Sequence, residues 1–216
     1  MIRRIALSCT VVIAFASTLA AQQESRWEKT IQGFEAQDKQ SPPPKDGILF
    51  IGSSSIRMWK LENYFKQKDL INRGFGGSEI SDSIQFADRI LIPYRPRIVV
   101  LYAGDNDIAH GKSPATVTAD FKTFVKTVHD KLPKTRIVYI AIKPSIKRWS
   151  LVEKMREANA AILAATKADD RLAFVDIDKP MLGDDGKPRA ELFISDGLHL
   201  SDQGYQLWAS LVKPHL

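Results

Sequence analysis

The chain has a single cysteine in 216 residues, Cys9, and it falls in an N-terminal stretch that reads as a cleavable address. The mature chain would then hold no thiol and no disulfide. That excludes a cysteine nucleophile and any cysteine-based zinc site, and it makes folding indifferent to the redox state of the compartment. No basic block or aromatic-interleaved basic stripe is present. The 31 Lys and Arg are scattered among 25 Asp and Glu, so nucleic acid is not an expected partner and a mildly basic solvated surface is. No apolar run is long enough to span a bilayer, which needs roughly 20 residues; the longest, Ile5 to Ala16, falls short. Internal repeats and low-complexity tracts are also missing.

That short apolar run has the makings of an export signal. Arg3 and Arg4 form a positive start, and Thr18-Leu19-Ala20 offers small residues where a signal peptidase cuts. Cys9 follows Ala6-Leu7-Ser8 like a lipidation site, but most of the apolar run lies after it, which is the wrong order. Residues 1–20 are therefore read as a signal peptide, with an uncleaved anchor as the alternative. The expected destination is periplasmic or secreted, with no stable membrane insertion after cleavage. Losing Arg3 and Arg4 lowers the formal charge of +6 by two. Residues 21–46 read as an amphipathic helical segment, about 24–38, followed by the linker Ser41-Pro42-Pro43-Pro44. Residues 47–216 form one domain with room for a substantial core.

Within that domain, short apolar runs alternate with longer helical patterns. Ile48 to Ile51, Leu70-Ile71, Ile98 to Tyr102, Ile137 to Ile142 and Leu172 to Val175 are the expected strands. Several are apolar on consecutive residues, as strands buried on both faces of a parallel sheet must be. Helical spacing occupies residues near 78–92, 116–131 and 150–168, and a last helix starts near 202 with Ser201 as N-cap. Gly183 to Gly186 reads as a surface turn. The alternation predicts right-handed βαβ units in a flavodoxin-like, three-layer α/β/α sandwich around a five-stranded parallel sheet. In such sheets ligands bind beyond the carboxyl ends of the strands, so the informative residues belong just after the apolar runs.

Three clusters stand there, and a fourth comes after the fifth strand and a loop. Gly52-Ser53-Ser54-Ser55 follows the first strand; a serine on a tight strand-to-helix turn is exposed at the sheet rim beside free amides, although the same serines would also serve as a helix cap. Position 56 is Ile, so the Gly-x-Ser-x-Gly elbow is not present. Asn72-Arg73-Gly74-Phe75-Gly76-Gly77-Ser78 follows the second strand, and its glycines permit close approach of amides to a ligand or simply a flexible loop. No Gly-Lys-Ser/Thr follows, so it is not a Walker phosphate loop. Gly104-Asp105-Asn106-Asp107 follows the third strand and carries a side-chain amide able to donate to an oxyanion, or carboxylates suited to a metal or a turn. Ser195 to Ser201 holds Asp196 and His199, three residues apart. That carboxylate can hold the Nδ1 proton of the imidazole and leave Nε2 as a base. Asp107 and His110 show the same spacing at the same rim, and composition does not separate the two pairs. His129, between Lys126 and Lys131, reads as solvated, and His215 lies beside the C-terminus.

Together the four clusters resemble the SGNH hydrolases, the GDSL-type esterases and lipases. Phe50-Ile51-Gly52-Ser53-Ser54 is similar to that family's first block, the glycine-rich stretch to its second, Gly104 to Asp107 to its third and Asp196 to His199 to its last. The resemblance extends over about residues 47–216. It implies Ser54 as nucleophile, Asp196 and His199 as its partners, and an oxyanion hole built from the N–H groups of Ser54 and Gly77 with the Asn106 amide. It also favours Asp196–His199 over Asp107–His110. One departure is Ser53, where the family usually has Asp; Ser53 and Ser55 thus stay open as nucleophiles. The implied reaction is two-step acyl transfer with no metal or organic cofactor.

Substrates implied by the resemblance range from acetylated carbohydrates to lysophospholipids. Export and the lack of a long apolar lid favour a small acyl group, acetyl foremost, on a small molecule or carbohydrate. Trp59 and Trp149 would serve to stack on a sugar ring or to pack the core. A lipid ester is the enzymatic alternative, and a non-catalytic module that binds a ligand is the alternative of a different class. A mononucleotide binder follows from fold analogy alone.

Overall fold

The computed structural model describes residues 25–216; the signal-peptide reading of residues 1–20 lies outside them. Among them, α1 (Glu28–Gln40), α2 (Ser54–Arg57), α3 (Ile80–Gln85), α4 (Ala87–Ile90), α5 (Asp105–Ala109), α6 (Pro114–Lys131), α7 (Val152–Thr166) and α8 (Asp202–Val212) surround five strands. These are β1 (Ile48–Gly52), β2 (Leu70–Gly74), β3 (Ile98–Tyr102), β4 (Arg136–Ile140) and β5 (Leu172–Val175). All pairings are parallel and the strand order is β2-β1-β3-β4-β5. The order reverses between β1 and β3, which opens a crevice beyond their carboxyl ends.

The consecutive apolar residues of β1 and β3 follow from burial on both faces. Leu49, Ile51, Val99, Leu101 and Tyr139 pack into one core layer with Ile31, Phe121, Phe124 and Ile162. Their neighbours Ile48, Phe50, Val100, Tyr102 and Val138 pack into the other with Ile56, Trp59, Tyr205 and Trp208. The three-layer α/β/α sandwich thus follows from the strand period of two acting on runs without polar interruption.

Two of the differences from the sequence expectation have clear local causes. The fourth strand stops at Ile140 because Asn159 of α7 takes both backbone groups of Ile142, accepting its N–H at 2.8 Å and donating to its carbonyl at 2.9 Å. The helical stretch at 78–92 divides at Phe86, whose N–H closes α3 on the Asp82 carbonyl while its own carbonyl accepts from Arg89 and Ile90 of α4. The N-terminal helix also reaches into the core: Ile31 is fully buried, and Arg89 holds Glu28 and Glu35 of α1 at 2.8 and 2.7 Å. Ser201 caps α8 by accepting the Gly204 N–H at 3.2 Å, and Gly183 to Gly186 forms a hydrogen-bonded turn.

Candidate active site

The Ser54 loop is made by Gly52. Its φ is +136°, and a Cβ there would lie 1.9 Å from the Tyr102 carbonyl oxygen, so no other residue fits where β1 crowds β3. The Ser53 N–H then donates to that same carbonyl at 3.0 Å and pins the loop to β3. Ser53 and Ser55 are 2 % and 1 % exposed, while Ser54 between them is half-buried and faces the crevice. Backbone bonds thus hold the loop in place with Ser at position 53.

The Asp196–His199 turn carries three bonds to one carboxylate. Asp196 accepts the N–H groups of Leu198 and His199 on Oδ1, both at 2.9 Å, and meets His199 Nδ1 with Oδ2 at 2.5 Å. Partial burial works to raise the Asp196 pKa, but the His199 ring and the two backbone N–H groups outweigh it and bring the value down to about 2. The other ring nitrogen, His199 Nε2, lies 3.0 Å from Ser54 Oγ, across 145 residues of chain. Serine, imidazole and carboxylate are therefore in one hydrogen-bonded line.

Asn106 and Gly77 lie across the same cleft, whose volume is about 600 Å³. Asn106 Nδ2 donates one hydrogen to the Ser78 carbonyl at 2.9 Å, and an amide nitrogen has a second. Gly77 has φ +79°, and a Cβ there would press on the Trp27 ring at 3.3 Å. Among the described residues neither the Ser54 nor the Gly77 N–H meets an acceptor. All five residues expected at the site, Ser54, Gly77, Asn106, Asp196 and His199, are thus brought together.

Asp107 and His110 are sent to different partners. Asp107 is fully buried, accepts the Ile80 N–H that opens α3 and takes Lys112 Nζ at 2.9 Å. His110 places Nδ1 2.7 Å from Glu79 Oε1 and stands in the cleft wall. His129 is not solvated as the flanking lysines suggest: its side chain is 9 % exposed and Nε2 lies 3.0 Å from the Thr135 carbonyl. Trp59 is 1 % exposed, between Phe50, Tyr205 and Trp208, so it packs the core and has no face for a sugar. Trp149 lies under Lys187 and Arg156, outside the cleft wall.

Other wall residues carried no sequence signal. Trp27 and Thr30 come from α1 and the turn before it, and Arg57 from α2. Arg148 binds Asp105 at 2.5 Å and donates from both terminal nitrogens to Asn106 Oδ1, each at 3.1 Å. Asp105 also takes Lys143 Nζ at 2.7 Å, and Lys143 bonds the Tyr102 hydroxyl at 2.9 Å. Burial works to raise the Asp105 pKa, yet the two cations beside it hold it below the usual carboxylate range. Lys143 had one available signal, its place just beyond the end of a strand. Among the described residues no cluster of three His, Cys, Asp or Glu could hold a metal ion, and no helix is long and apolar enough to cross a membrane.

A five-stranded parallel sandwich with a Ser-His-Asp line at the carboxyl end of β1 has the architecture of a hydrolase. The GDSL-like lipase/acylhydrolase family model matches residues 55–207, which take in Gly77, Asn106, Asp196 and His199. The chain belongs to that family and is a hydrolase of ester bonds. Human platelet-activating factor acetylhydrolase IB subunit alpha1 is 29% identical over 193 residues, covering 85% of this chain and 80% of the human protein. A GDSL-like lipase from Bacteroides thetaiotaomicron superposes with a TM-score of 0.74 at 20% identity, covering 86% of this chain and 96% of its own. An acetylxylan esterase from Geobacillus stearothermophilus gives 0.65 at 13% identity, covering 79% and 94%; at such identities both structures speak for the fold.

Proposed function

We propose that the protein is an exported serine esterase that removes short acyl groups, acetyl foremost, from small or carbohydrate alcohols. The observation that carries this reading is the line from Asp196 through His199 to Ser54, with Nε2 3.0 Å from Oγ. His199 takes the Ser54 proton as Oγ attacks the ester carbonyl, and Asp196 stabilises the imidazolium that forms. The N–H groups of Ser54 and Gly77 and the Asn106 amide receive the oxyanion. His199 returns the proton to the departing alcohol; it then activates water, which attacks the acyl-Ser54 ester and frees the acid.

The small acyl group is supported by a cleft walled largely by polar residues and glycines, with Trp27 and Leu198 as its large apolar members. Acetyl esters are also what the human relative and the Geobacillus enzyme are named for. A lipid-ester reading has one observation of its own: Ile146 and Ile194, 46 % and 43 % exposed, flank a second concavity beside Asp196. Nitrophenyl esters of rising chain length separate the two. Rates that fall beyond the shortest acyl chains support the acetyl reading, and rates that rise with length support the lipid one. Labelling with a fluorophosphonate, with the adduct mapped in wild type and in Ser54→Ala, tests the nucleophile. An adduct on Ser53 or Ser55, or no adduct and no hydrolysis of any ester, would overturn the assignment.

A further inference from the structure

Four basic side chains stand in or at the cleft, and three have an acid of their own. His199 has Asp196, His110 has Glu79 and Arg148 has Asp105. Arg57 is the exception: it lines the cleft three residues after Ser54 on the single turn of α2, is exposed, and forms no ion pair or side-chain hydrogen bond among the described residues. None of the residues lining the cleft is a carboxylate.

Gly76 leaves open space beside the Arg57 side chain. A Cβ at Gly76 would lie 2.9 Å from Arg57 Nε, and Gly76 does not have a positive φ that would itself call for glycine. The missing side chain leaves room for the guanidinium beside the Gly77 loop. Arg57 also lines another, larger concavity of about 860 Å³, running along the exposed edge of β2 between the Pro42–Pro44 stretch and the loop after α2. Lys60, Lys66 and Lys68 line this groove, all exposed and without an ion pair among the described residues, against Glu62 as the exposed acid. Arg73 in its wall is already neutralised by Asp38.

Resting on the esterase reading above, we infer that the ester is carried by a polyanionic carbohydrate chain. A carboxylate of that chain sits on Arg57, and the chain continues along the lysine-lined groove while its O-acyl group reaches Ser54. A guanidinium presents a planar fork to a carboxylate, and a row of unpaired cations attracts a polyanion along its length. The occupant is a chain in a groove rather than a membrane surface. Among the described residues none of the exposed large apolar side chains (Met58, Ile146, Leu163 and Ile194) lines the groove, and Ile146 and Ile194 belong to the separate concavity beside Asp196. Bilayer insertion needs an apolar face there.

The test compares kcat/KM on O-acetylated polygalacturonate and on O-acetylated xylan, a neutral chain, at low and high salt. Wild type is expected to prefer the anionic polymer, and salt is expected to erase the preference. Arg57→Gln is expected to lower kcat/KM on the anionic polymer by roughly 10- to 100-fold more than on xylan, mainly through KM, with Arg57→Lys recovering part of the loss. The double variant Lys66→Gln/Lys68→Gln, on exposed side chains remote from Ser54, is expected to narrow the preference and its salt dependence. Equal rates on the two polymers, an equal loss on both in Arg57→Gln, or a preference for acetyl esters carried in phosphatidylglycerol vesicles would each overturn the inference. Any of these with nitrophenyl acetate still hydrolysed and Ser54 still labelled leaves the esterase standing; loss of both activities removes the esterase itself.

Discussion

Arg148 grips the side-chain oxygen of Asn106 with both of its terminal nitrogens, each at 3.1 Å. With its oxygen held from outside, the amide has its nitrogen end turned to the Ser78 carbonyl and the cleft. A donor aimed in advance is what an oxyanion hole requires, since it then costs no reorganisation when charge develops.

Asn106→Ala should therefore lower kcat by about 10²–10³, with KM little changed. Arg148→Lys keeps a cation on Asp105 but loses the two-point grip on the amide, so it should lower kcat by a smaller factor. The Asn106→Ala/Arg148→Lys pair should be little worse than Asn106→Ala alone, because both act through one amide. Steady-state kinetics on nitrophenyl acetate, with circular dichroism to confirm folding, checks all three; additive losses would show that Arg148 acts elsewhere.

Asp196 links activity to acid stability. Its folded pKa of about 2 lies below the ordinary value near 3.9, so folding favours its charged form. The stability it contributes is complete above about pH 4 and is lost as pH falls through about 2. The gap in melting temperature between wild type and Asp196→Asn should accordingly be widest near neutrality and close on acidification. In the same variant kcat should fall by roughly 10³–10⁴, as expected when the imidazole loses the partner that fixes its tautomer.

Asp105 and Lys143 form a buried ion pair beneath the site, their side chains 5 % and 2 % exposed. Asp105→Asn leaves the Lys143 ammonium uncompensated and should cost about 3–5 kcal/mol, measured by urea denaturation. Asp105→Asn/Lys143→Met should recover most of that loss. It should not recover kcat, since Arg148 has still lost the carboxylate that positions it.

Helix α1 belongs to the core and to the cleft wall. Ile31→Ala should cost about 2–5 kcal/mol, as for other fully buried aliphatic side chains. Trp27 packs edge-on against Phe75, its ring centroid 5.7 Å away, and overlies Gly77. Trp27→Ala should reduce kcat/KM more for an ester with a bulky alcohol than for nitrophenyl acetate, read from the ratio of the two.

Much of the sandwich was legible because parallel strands buried on both faces must be apolar at every position, as Ile48 to Ile51 and Ile98 to Tyr102 are. The clusters after β1, β2 and β3 were legible because parallel strands deliver all their carboxyl ends to one rim. Boundaries set by single distant side chains were not, as Asn159 ending β4 shows. Nor were the environments of His129 and Trp59, whose neighbours in the chain are not their neighbours in space. Arg148 sits 42 residues from the amide it holds, with no periodicity to connect them.

The sequence by itself determined the sheet and its parallel sense, because strand periodicity is a short-range property; the five residues at the rim were singled out by the resemblance of four short blocks to a known family. Only the tertiary structure decided which serine is open, where Asp107 and His110 point, and that Trp27, Arg57 and Arg148 complete the cleft. Those outcomes depend on burial and on contacts between residues far apart in the chain, which exist only once the core has closed.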